Sequence, residues 1–308
     1  MEELIPKVER SLLLDELNEK TFVKKSNFGK KLIYIVDYKN APNVMQEIGR
    51  LREVSFRDAG GGTGKSVDID SYDLGENPFK QLLVWDQEEQ EIVAGYRFIH
   101  CKFLERDENG TVKTPTSKLF WYSEKFIREY LPETIELGRS FVQPEYQPMK
   151  NLRKGMYSLD NLWDGLGAII TQNKDADYFF GKITMYNKAD LIAREAILFF
   201  LEMFFPDPDN LVGPHNPILK QTDPEVFRNL FTGSNYEENH KILQQFLRSK
   251  NESIPPLLNA YMNLTSTMKS FGTSANESFG EVEETAILVR ISDIYSEKKD
   301  RHLTENLK

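Results

Sequence analysis

Short runs of apolar residues, separated by polar segments, occur along much of the chain and predict the strands of a sheet. The runs at 81–86 and 91–100 flank the polar stretch 87–90, which predicts a β-hairpin. Apolar residues recur at helical spacing over 41–56 and 155–171, and this spacing predicts two helices. Further strands are predicted at 31–36, 134–142, 177–185 and 284–291.

The order of these predicted elements indicates the fold class. A strand, a helix and a strand alternate in the middle of the chain, which is typical of an α/β (α+β) protein with a mixed sheet flanked by helices. The pattern is helical over 189–253, and we expect an insertion or extension packed on the sheet. Because the chain has no internal repeat and no long linker, we expect one enlarged domain over 1–308, with a charged, frayed tail at 297–308.

Composition and charge narrow the class of protein. The chain has 308 residues, 40% of them hydrophobic, and a formal net charge of −9. These values exclude a low-complexity chain and argue against a general nucleic-acid binder. The acidic N-terminal segment lacks the residue order of a secretory signal. The longest apolar stretch, 196–205, is shorter than the roughly 20 residues of a membrane span. We therefore expect a cytoplasmic protein.

Cysteine and histidine usage gives no support for a metal site. Cys101 is the one cysteine of the chain, which excludes an intrachain disulfide and a cysteine-based zinc cluster. The histidines lack the spacing of metal ligands, so we predict no metal. They are His100, His215, His240 and His302.

The glycine-rich segment 59–66, AGGGTGKS, is similar to a phosphate-binding loop. In such a loop backbone N–H groups surround the phosphates, and Lys65 and Ser66 would contact phosphate and magnesium. However, a phosphate loop follows a strand and begins a helix, whereas this segment follows a predicted helix and precedes VDIDSYDLGENP. We expect a mobile loop that could cover a substrate, with a P-loop nucleotide-binding protein as an alternative.

Three arginines occupy positions where apolar residues are expected. Arg52 lies on the apolar face of the predicted helix, and Arg97 and Arg139 lie on the apolar faces of two predicted strands. Buried arginines need partners, and Asp70 and Asp73 are the nearest candidates in the sequence. Taken alone, this pattern favours a structural ion-pair network over a reaction site.

The strand predicted at 134–142 also contains an acidic residue. Strict alternation places Glu136 on the face opposite to Arg139. A bulge at Gly138 would break that alternation.

Taken in order, several segments resemble a known family. They are Arg52 with Phe56, DIDSYD at 68–73, VAGYRF at 93–98 and ELGRSFV at 136–142. This series resembles the GNAT-like N-acyltransferases that include ornithine-lipid and glycine-lipid synthases and, more distantly, acyl-homoserine lactone synthases. The resemblance continues in LWDGLGAII at 162–170, DYFFGKITM at 177–185 and IPPLLNAYMNL at 254–264.

The resemblance implies transfer of a long, often 3-hydroxylated, acyl group from an acyl carrier protein thioester to the α-amine of an amino acid such as glycine or ornithine. An ammonium cannot attack a thioester, so a base must remove a proton, and Glu136 is the candidate. Backbone N–H groups near Gly138 and Phe141 are candidate oxyanion donors. Arg97 and Arg139 would hold the acceptor carboxylate or organise the aspartates. The remaining residues expected to bind substrate are Arg52, Phe56, Asp70, Asp73 and Ser140.

The donor site departs from that of acetyl-coenzyme A enzymes with this fold. Their pyrophosphate loop has the pattern Gln/Arg-x-x-Gly-x-Gly/Ala. The corresponding segment of this chain, QPEYQPMKNLRKGMYS, keeps one glycine of that pattern, Gly155. Lys150, Arg153 and Lys154 form a basic cluster suited to a phosphopantetheine phosphate and an acidic carrier, although it could be a solvated loop. With Phe141 and Gly155 these residues are the expected donor site. No permanently bound cofactor is expected, and coenzyme A is the less favoured donor.

Two further functions are kept as alternatives. One is an acyl-coenzyme A-dependent GNAT acetyltransferase. The other is a membrane-active protein, because some relatives of the resembled family are labelled hemolysins. The phenylalanines of the stretch 191–205 are expected to be core, with an acyl pocket or a peripheral contact with the inner membrane face kept open. They are Phe199, Phe200, Phe204 and Phe205.

Overall fold

The apolar runs of the sequence form strands in a computed structural model that describes residues 1–106, 108, 112–186, 190–280 and 282–302. Eight of the strands form one mixed sheet, and two short strands form a second sheet. The strands are β1 (Phe22–Lys25), β2 (Leu32–Val36), β3 (Lys80–Asp86), β4 (Glu91–His100), β5 (Phe120–Tyr122), β6 (Thr134–Val142), β7 (Tyr178–Met185), β8 (Val212–Pro214), β9 (Lys269–Asn276) and β10 (Val282–Arg290).

Helices cover both faces of the large sheet. The longest, α2, begins with Pro42 in its first turn and ends at Gly60, whose φ of 100° lies in the left-handed region that glycine tolerates. The helices are α1 (Arg10–Glu16), α2 (Pro42–Ala59), α3 (Ser71–Leu74), α4 (Leu152–Gly155), α5 (Ser158–Gln172), α6 (Leu191–Phe204), α7 (Pro224–Leu230), α8 (Tyr236–Ser249), α9 (Pro256–Met262) and α10 (Ser296–His302).

The strand order in the large sheet is β1-β2-β3-β4-β6-β7-β10-β9. Neighbouring strands are antiparallel with one exception, because β6 and β7 run parallel. A parallel pair needs a crossover, and residues 144–172, which include α4 and α5, supply it. The predicted fold class, a mixed sheet flanked by helices, is confirmed.

Alternation along the strands gives the sheet two differently covered faces. The first face, which carries Leu82, Tyr96 and Ile287, packs against α5 and the helices from α6 to α9. The second face has two separate coverings. Leu83 and its neighbours contact α1 and α2, whereas Phe180 and Leu288 contact the layer that contains β5 and β8. The polar residues considered below lie between these two coverings.

Four helices lie between β7 and β9. Of these, α6, α7 and α8 lie within 189–253, where a helical insertion is predicted, and α9 follows that region. Part of the tail predicted to fray forms α10, where Arg301 pairs with Asp160 at 2.8 Å and His302 contacts Asp164 at 2.8 Å. Residues 303–308 of that tail lie outside the described residues. Within the described part of the chain, no helix is both long enough and apolar enough to cross a membrane.

Candidate active site

The parallel strands β6 and β7 separate partway along their length. Their pairing runs from Thr134 with Tyr178 to Leu137 with Gly181. Beyond Gly138, β6 continues to pair with β4, whereas β7 pairs along its whole length with β10. We call this opening between β6 and β7 the fork. A side chain at 181 would place its Cβ 2.5 Å from the Leu137 carbonyl oxygen, so glycine is required where the fork closes.

A narrow cleft, partly open to solvent, opens at the fork. On the first face of the sheet its walls are apolar, apart from the hydroxyls of Tyr96, Tyr261 and Ser140. The two tyrosine hydroxyls lie 3.1 Å apart. Ser140, predicted to bind substrate, lines the cleft. The apolar lining consists of Leu137, Phe179, Ile183, Leu257 and Ile287.

Arg52 lies entirely inside the protein, with no solvent-exposed surface. Its guanidinium approaches Asp73 at 3.3 Å and the backbone carbonyl of Asp68 at 3.3 Å, and it donates a further hydrogen bond to Gln81. Gln81 in turn donates to Asp73 at 3.0 Å. The predicted partner Asp73 is thus confirmed, and these contacts hold Arg52 in place from within the core.

Arg97 is the second buried arginine. It contacts Asp70 at 2.8 Å and Asp73 at 3.2 Å, which confirms both predicted partners. Asp70 and Asp73 also cap α3, since each carboxylate accepts a backbone N–H of that turn. Burial opposes the ionisation of Asp70, but the charges of Arg97 and Arg139 outweigh it and lower its pKa to about 2.

Arg139 lies in a β-bulge that the sequence raised as an alternative. Between the pairs Gly95–Phe141 and Arg97–Gly138, two residues of β6 face one residue of β4. Arg139 has a φ of 49°, a left-handed conformation that is unfavourable for a side chain of this size. Its guanidinium lies 2.8 Å from Asp68 and over the ring of Phe279.

The bulge changes which side chains share a face. Glu136 pairs with Ile99, and Gly138 pairs with Arg97, so these positions all lie on the second face. Arg139 reaches Asp68 on that same side. The expectation from strict alternation, with Glu136 and Arg139 on opposite faces, is therefore wrong, because the extra residue shifts the alternation.

Six charged residues form what we call the arginine–aspartate cluster. Its charges balance, and the ion pairs link helix α2, strands β4 and β6 and the segment around α3. Removal of one partner from a buried pair typically costs about 3–5 kcal/mol, so these residues fix one another's positions. The cluster consists of Arg52, Arg97, Arg139, Asp68, Asp70 and Asp73.

Glu136, the predicted base, is buried with 1% of its surface exposed. One carboxylate oxygen accepts the backbone N–H of Thr116 at 3.1 Å. Burial raises the pKa of Glu136 above its usual value, although hydrogen bonds from Thr114 and Thr116 and the charge of Lys182 act in the opposite direction. A carboxylate with a raised pKa is a better proton acceptor than an exposed one.

Tyr72 connects Glu136 with the arginine–aspartate cluster. Burial, together with the negative charges of Glu136 and Asp70, raises the pKa of Tyr72 to about 12. The Arg97 guanidinium lies 5.7 Å from its ring centre, and the Lys118 ammonium lies 4.9 Å from it. Sequence reasoning missed Tyr72, although it stands between Asp70 and Asp73 in DIDSYD.

Other contacts of the site were also missed from the sequence. Asp68 belongs to the same DIDSYD segment and could have been noticed as a third acid. Gln81 is the second residue of β3, where nothing in the local pattern indicates a contact with Arg52. Tyr261 reaches the cleft from α9, whereas Lys182 directly follows Gly181 in β7.

Among the residues predicted to bind the acyl donor, Phe141 lies in the core, apart from the basic residues of segment 150–154. Phe141 packs against Gly95 within the core formed with α2, whereas Lys150 pairs with Asp58 at 2.8 Å and Lys154 with Glu89 at 3.1 Å. Arg153 is exposed. Gly155 allows close contact, since a Cβ there would lie 2.5 Å from the backbone nitrogen of Pro148.

Phe56 and the glycine-rich loop lie beside Arg139. Phe56 contacts Phe279 edge to face, at 5.1 Å between ring centres. The buried carboxylate of Glu53 accepts the backbone N–H groups of Thr63 at 3.0 Å and Gly64 at 2.6 Å. The loop, predicted to be mobile, is thus anchored by a carboxylate that occupies the position a phosphate would need.

The four phenylalanines of the stretch 191–205 belong to the core, as expected, and do not form an acyl pocket at the fork. Phe200 and Phe205 are buried, and Phe199 stacks on Phe231 at 6.0 Å between ring centres. Phe204 packs edge to face on Tyr236 at 5.5 Å. These side chains pack α6 against α7 and α8, and none of them lines the cleft at the fork.

Comparison with known proteins agrees with this architecture. A family model described as an acetyltransferase (GNAT) domain matches residues 51–154. The glycine N(alpha)-acyltransferase of Bacteroides thetaiotaomicron is 48% identical over 303 residues, which cover 98% of this chain and 90% of that protein. The glycine N(alpha)-acyltransferase of Phocaeicola vulgatus is 46% identical and covers 100% of this chain and 94% of its own length.

A solved structure of FeeM, an N-acyl amino acid synthase from uncultured soil microbes, aligns with 89% of this chain and 95% of its own, with 10% identity and a TM-score of 0.41. The forked mixed sheet and the matched domain define an acyltransferase of the GNAT type. The similarity over nearly the whole length gives the narrower assignment. The chain belongs to the glycine N(alpha)-acyltransferase family.

Proposed function

We propose that this N-acyltransferase moves a long acyl group from an acyl carrier protein thioester to the α-amine of glycine. The observation that carries the proposal is the fork, where an apolar cleft on one face of the sheet meets buried charged groups on the other. Such a division suits one apolar and one zwitterionic substrate. The names of the two close relatives support glycine as the acceptor.

The chemistry assigns a role to Glu136. In the proposed reaction its carboxylate takes a proton from the glycine ammonium, and the free amine attacks the thioester carbonyl carbon. The C–N bond forms, the C–S bond breaks, and the leaving thiolate takes up a proton to become the carrier's thiol. Backbone N–H groups of β6 beyond Leu137 are candidates to stabilise the oxyanion, because β7 no longer pairs with that part of the strand.

The two arginines of the strands take different roles in this proposal. Arg97 is held by two aspartates and is 1% exposed, so it acts as a positioning residue for Asp70 and Tyr72. Arg139 has a side chain that is 18% exposed and could reach the carboxylate of the acceptor. Asp70, with a side chain 28% exposed, would then face the acceptor's ammonium.

The surface after β6 supports a carrier protein as the donor. Segment 143–158 differs from the pyrophosphate loop of acetyl-coenzyme A enzymes. It instead presents basic residues beside exposed apolar ones, with Met149 and Leu152 at 99% and 68% exposure. A carrier protein is acidic and would be attracted by these cations. The product, an N-acylated glycine, is an amphiphile, and we propose a role in aminolipid synthesis.

A direct assay tests the proposal. Purified protein is mixed with glycine and either a long-chain acyl carrier protein thioester or the matching coenzyme A thioester, and acylglycine is measured by mass spectrometry. We expect faster turnover with the carrier thioester. Glu136→Gln should lower turnover by about 100-fold or more, since general base catalysis typically contributes that much.

Three results would count against it. Faster turnover with the coenzyme A thioester would assign the alternative donor. Turnover of Glu136→Gln at the wild-type rate would remove Glu136 from the mechanism. Absence of acylglycine, both in the assay and among lipids of cells that express the chain, would reject the proposed reaction.

A further inference from the structure

Gly138 is a glycine that the fold itself does not require. A Cβ at this position would meet no atom within 4 Å, and its φ lies outside the left-handed region. The two other glycines near the fork differ, because a Cβ at Gly95 would lie 2.8 Å from the Phe141 ring and one at Gly181 would lie 2.5 Å from the Leu137 oxygen. A strand glycine without a packing reason marks a place where another molecule approaches the backbone.

The open space at Gly138 lies on the charged side of the sheet. Gly138 pairs with Arg97, and it follows Glu136 by two residues, so a side chain there would point to the same face as both. Arg97, the residue that pairs with Gly138, holds Asp70 at 2.8 Å, and its guanidinium lies 5.7 Å from the ring centre of Tyr72. The apolar side chains Leu137 and Ile183 lie on the other face.

We infer that the missing side chain of Gly138 makes room for the acceptor amino acid, which rests on the function proposed above. Carboxylates of Glu136 and Asp70 favour a cationic group, and the ammonium of a free amino acid supplies one. The side chain of Arg139, the next residue, is partly exposed and suits the acceptor's carboxylate. Gly138 also lines the cleft at the fork, and because its side chain would point to the charged face, its missing side chain leaves room for the acceptor beside the acyl chain.

Replacement of Gly138 by alanine tests this inference. One methyl group in the open space should raise the KM for glycine about tenfold or more, as an added or missing methylene does in fitted sites. The KM for the acyl thioester should stay within about twofold, because the acyl chain lies on the other face. The melting temperature should equal or exceed that of the wild type, since the methyl meets no neighbour.

Gly75→Ala is the matched control. Gly75 has a φ of −65°, and the nearest atom to a Cβ there is the Ser71 carbonyl oxygen at 3.6 Å, so the same substitution is tolerated away from the fork. Both KM values should remain at the wild-type level. Gly181→Ala should lower the melting temperature, because its Cβ would collide with the backbone of Leu137.

The outcomes separate this inference from the proposed function. The inference is overturned if the KM for glycine is unchanged in Gly138→Ala, or if only the KM for the thioester rises. Acylglycine formation by the wild type would still support the proposed function in either case. Saturation-transfer NMR of glycine with both proteins adds a readout without turnover. If the wild type binds glycine but forms no acylglycine, and Gly138→Ala binds none, the inference stands and the proposed reaction fails.

Discussion

The carboxylate of Glu136 is held in surroundings that oppose its charge. It lies among Thr114, Thr116 and buried aromatic side chains, and burial outweighs the hydrogen bonds in setting its pKa. A proton acceptor of this kind lowers the stability of the folded protein once it ionises. Such a cost is tolerated where the charge serves a reaction.

The stability of the protein should therefore respond to pH through Glu136. Its pKa is higher in the folded than in the unfolded chain, so the folded state binds more protons, and stability falls as pH rises from about 4.5 through the folded pKa. Glu136→Gln should remove this fall and melt at a higher temperature than the wild type at pH 7. Each unit of pKa difference corresponds to about 1.4 kcal/mol.

Thermal melts of both proteins from pH 4 to pH 8 measure this difference. The gap between the two melting temperatures should widen with rising pH and then level off. If the difference between the two melting temperatures is constant or narrows with rising pH, the pKa of Glu136 is not raised in the folded protein.

At the scale of elements, backbone N–H groups of the glycine-rich loop bind a carboxylate of the protein, that of Glu53, rather than an external anion. Glu53 belongs to α2 and its carboxylate accepts three hydrogen bonds from the loop, including the Thr63 hydroxyl at 2.8 Å. Arg57, one turn later, pairs with Glu53 at 2.9 Å. Hydrogen bonds from these groups outweigh burial and lower the pKa of Glu53.

Glu53→Gln should loosen this loop. The glutamine NH₂ group cannot accept a hydrogen bond, so a backbone N–H of Thr63 or Gly64 loses its partner, at a cost of about 1–3 kcal/mol. Hydrogen exchange of residues 60–66 should become faster, while the exposed change Glu19→Gln should leave it unaltered. Equal protection in both variants would contradict the anchoring role. A melting-temperature rise with magnesium-ATP, lost in Lys65→Ala, would favour nucleotide binding.

The sequence predicts elements well where their pattern is regular. The strands β2, β3, β4, β6, β7 and β10 follow apolar runs, and their predicted bounds differ from the observed ones by at most two residues. β9, with the sequence KSFGTSAN, was missed because polar residues dominate it and its stability comes from pairing with β10. The sequence allowed a bulge near Gly138 but could not determine whether it forms, because the conformation of Arg139 depends on its contact with Asp68, which is distant in the sequence.

The same limit applies to the site. Arg52, Arg97, Asp70 and Asp73 could be paired from the sequence because buried charges require partners. Tyr261 could not be assigned to the site, because no local pattern relates α9 to the fork.

At the scale of the whole molecule, the net charge of −9 would repel an acidic carrier protein, so docking would need a local basic surface beside the fork. Because α5 connects two parallel strands, its beginning lies at the end of the sheet where β6 and β7 diverge. Met149, Leu152 and Met156 are exposed there by 99%, 68% and 53%. Beside them lie Lys150, Arg153 and Lys154, and we call this surface the 149–156 patch.

Substitution in the 149–156 patch should weaken use of the proposed carrier. Arg153→Glu combined with Leu152→Ser should raise the KM for the carrier thioester about tenfold or more, through charge repulsion and lost apolar contact. The KM for a free pantetheine thioester with the same acyl group should not change, since it needs no protein contact. High salt should narrow the difference.

Two results would contradict this assignment. Equal loss with both donors would place the substituted residues in the cleft's own structure. Unchanged kinetics, with a loss of binding to anionic lipid vesicles instead, would assign the patch to a membrane surface.

The closed end of the fork has a consequence for release of the product. Four residue pairs from Thr134 to Leu137 of β6 hold the two strands together, so nothing bulky can pass through the sheet at that end. A molecule with its apolar tail on one face and its charged head on the other lies across the plane of the sheet. The proposed product would therefore leave through the open side of the fork. If the proposed carrier thioester enters by the same opening, the free carrier must leave before the acylated amino acid does.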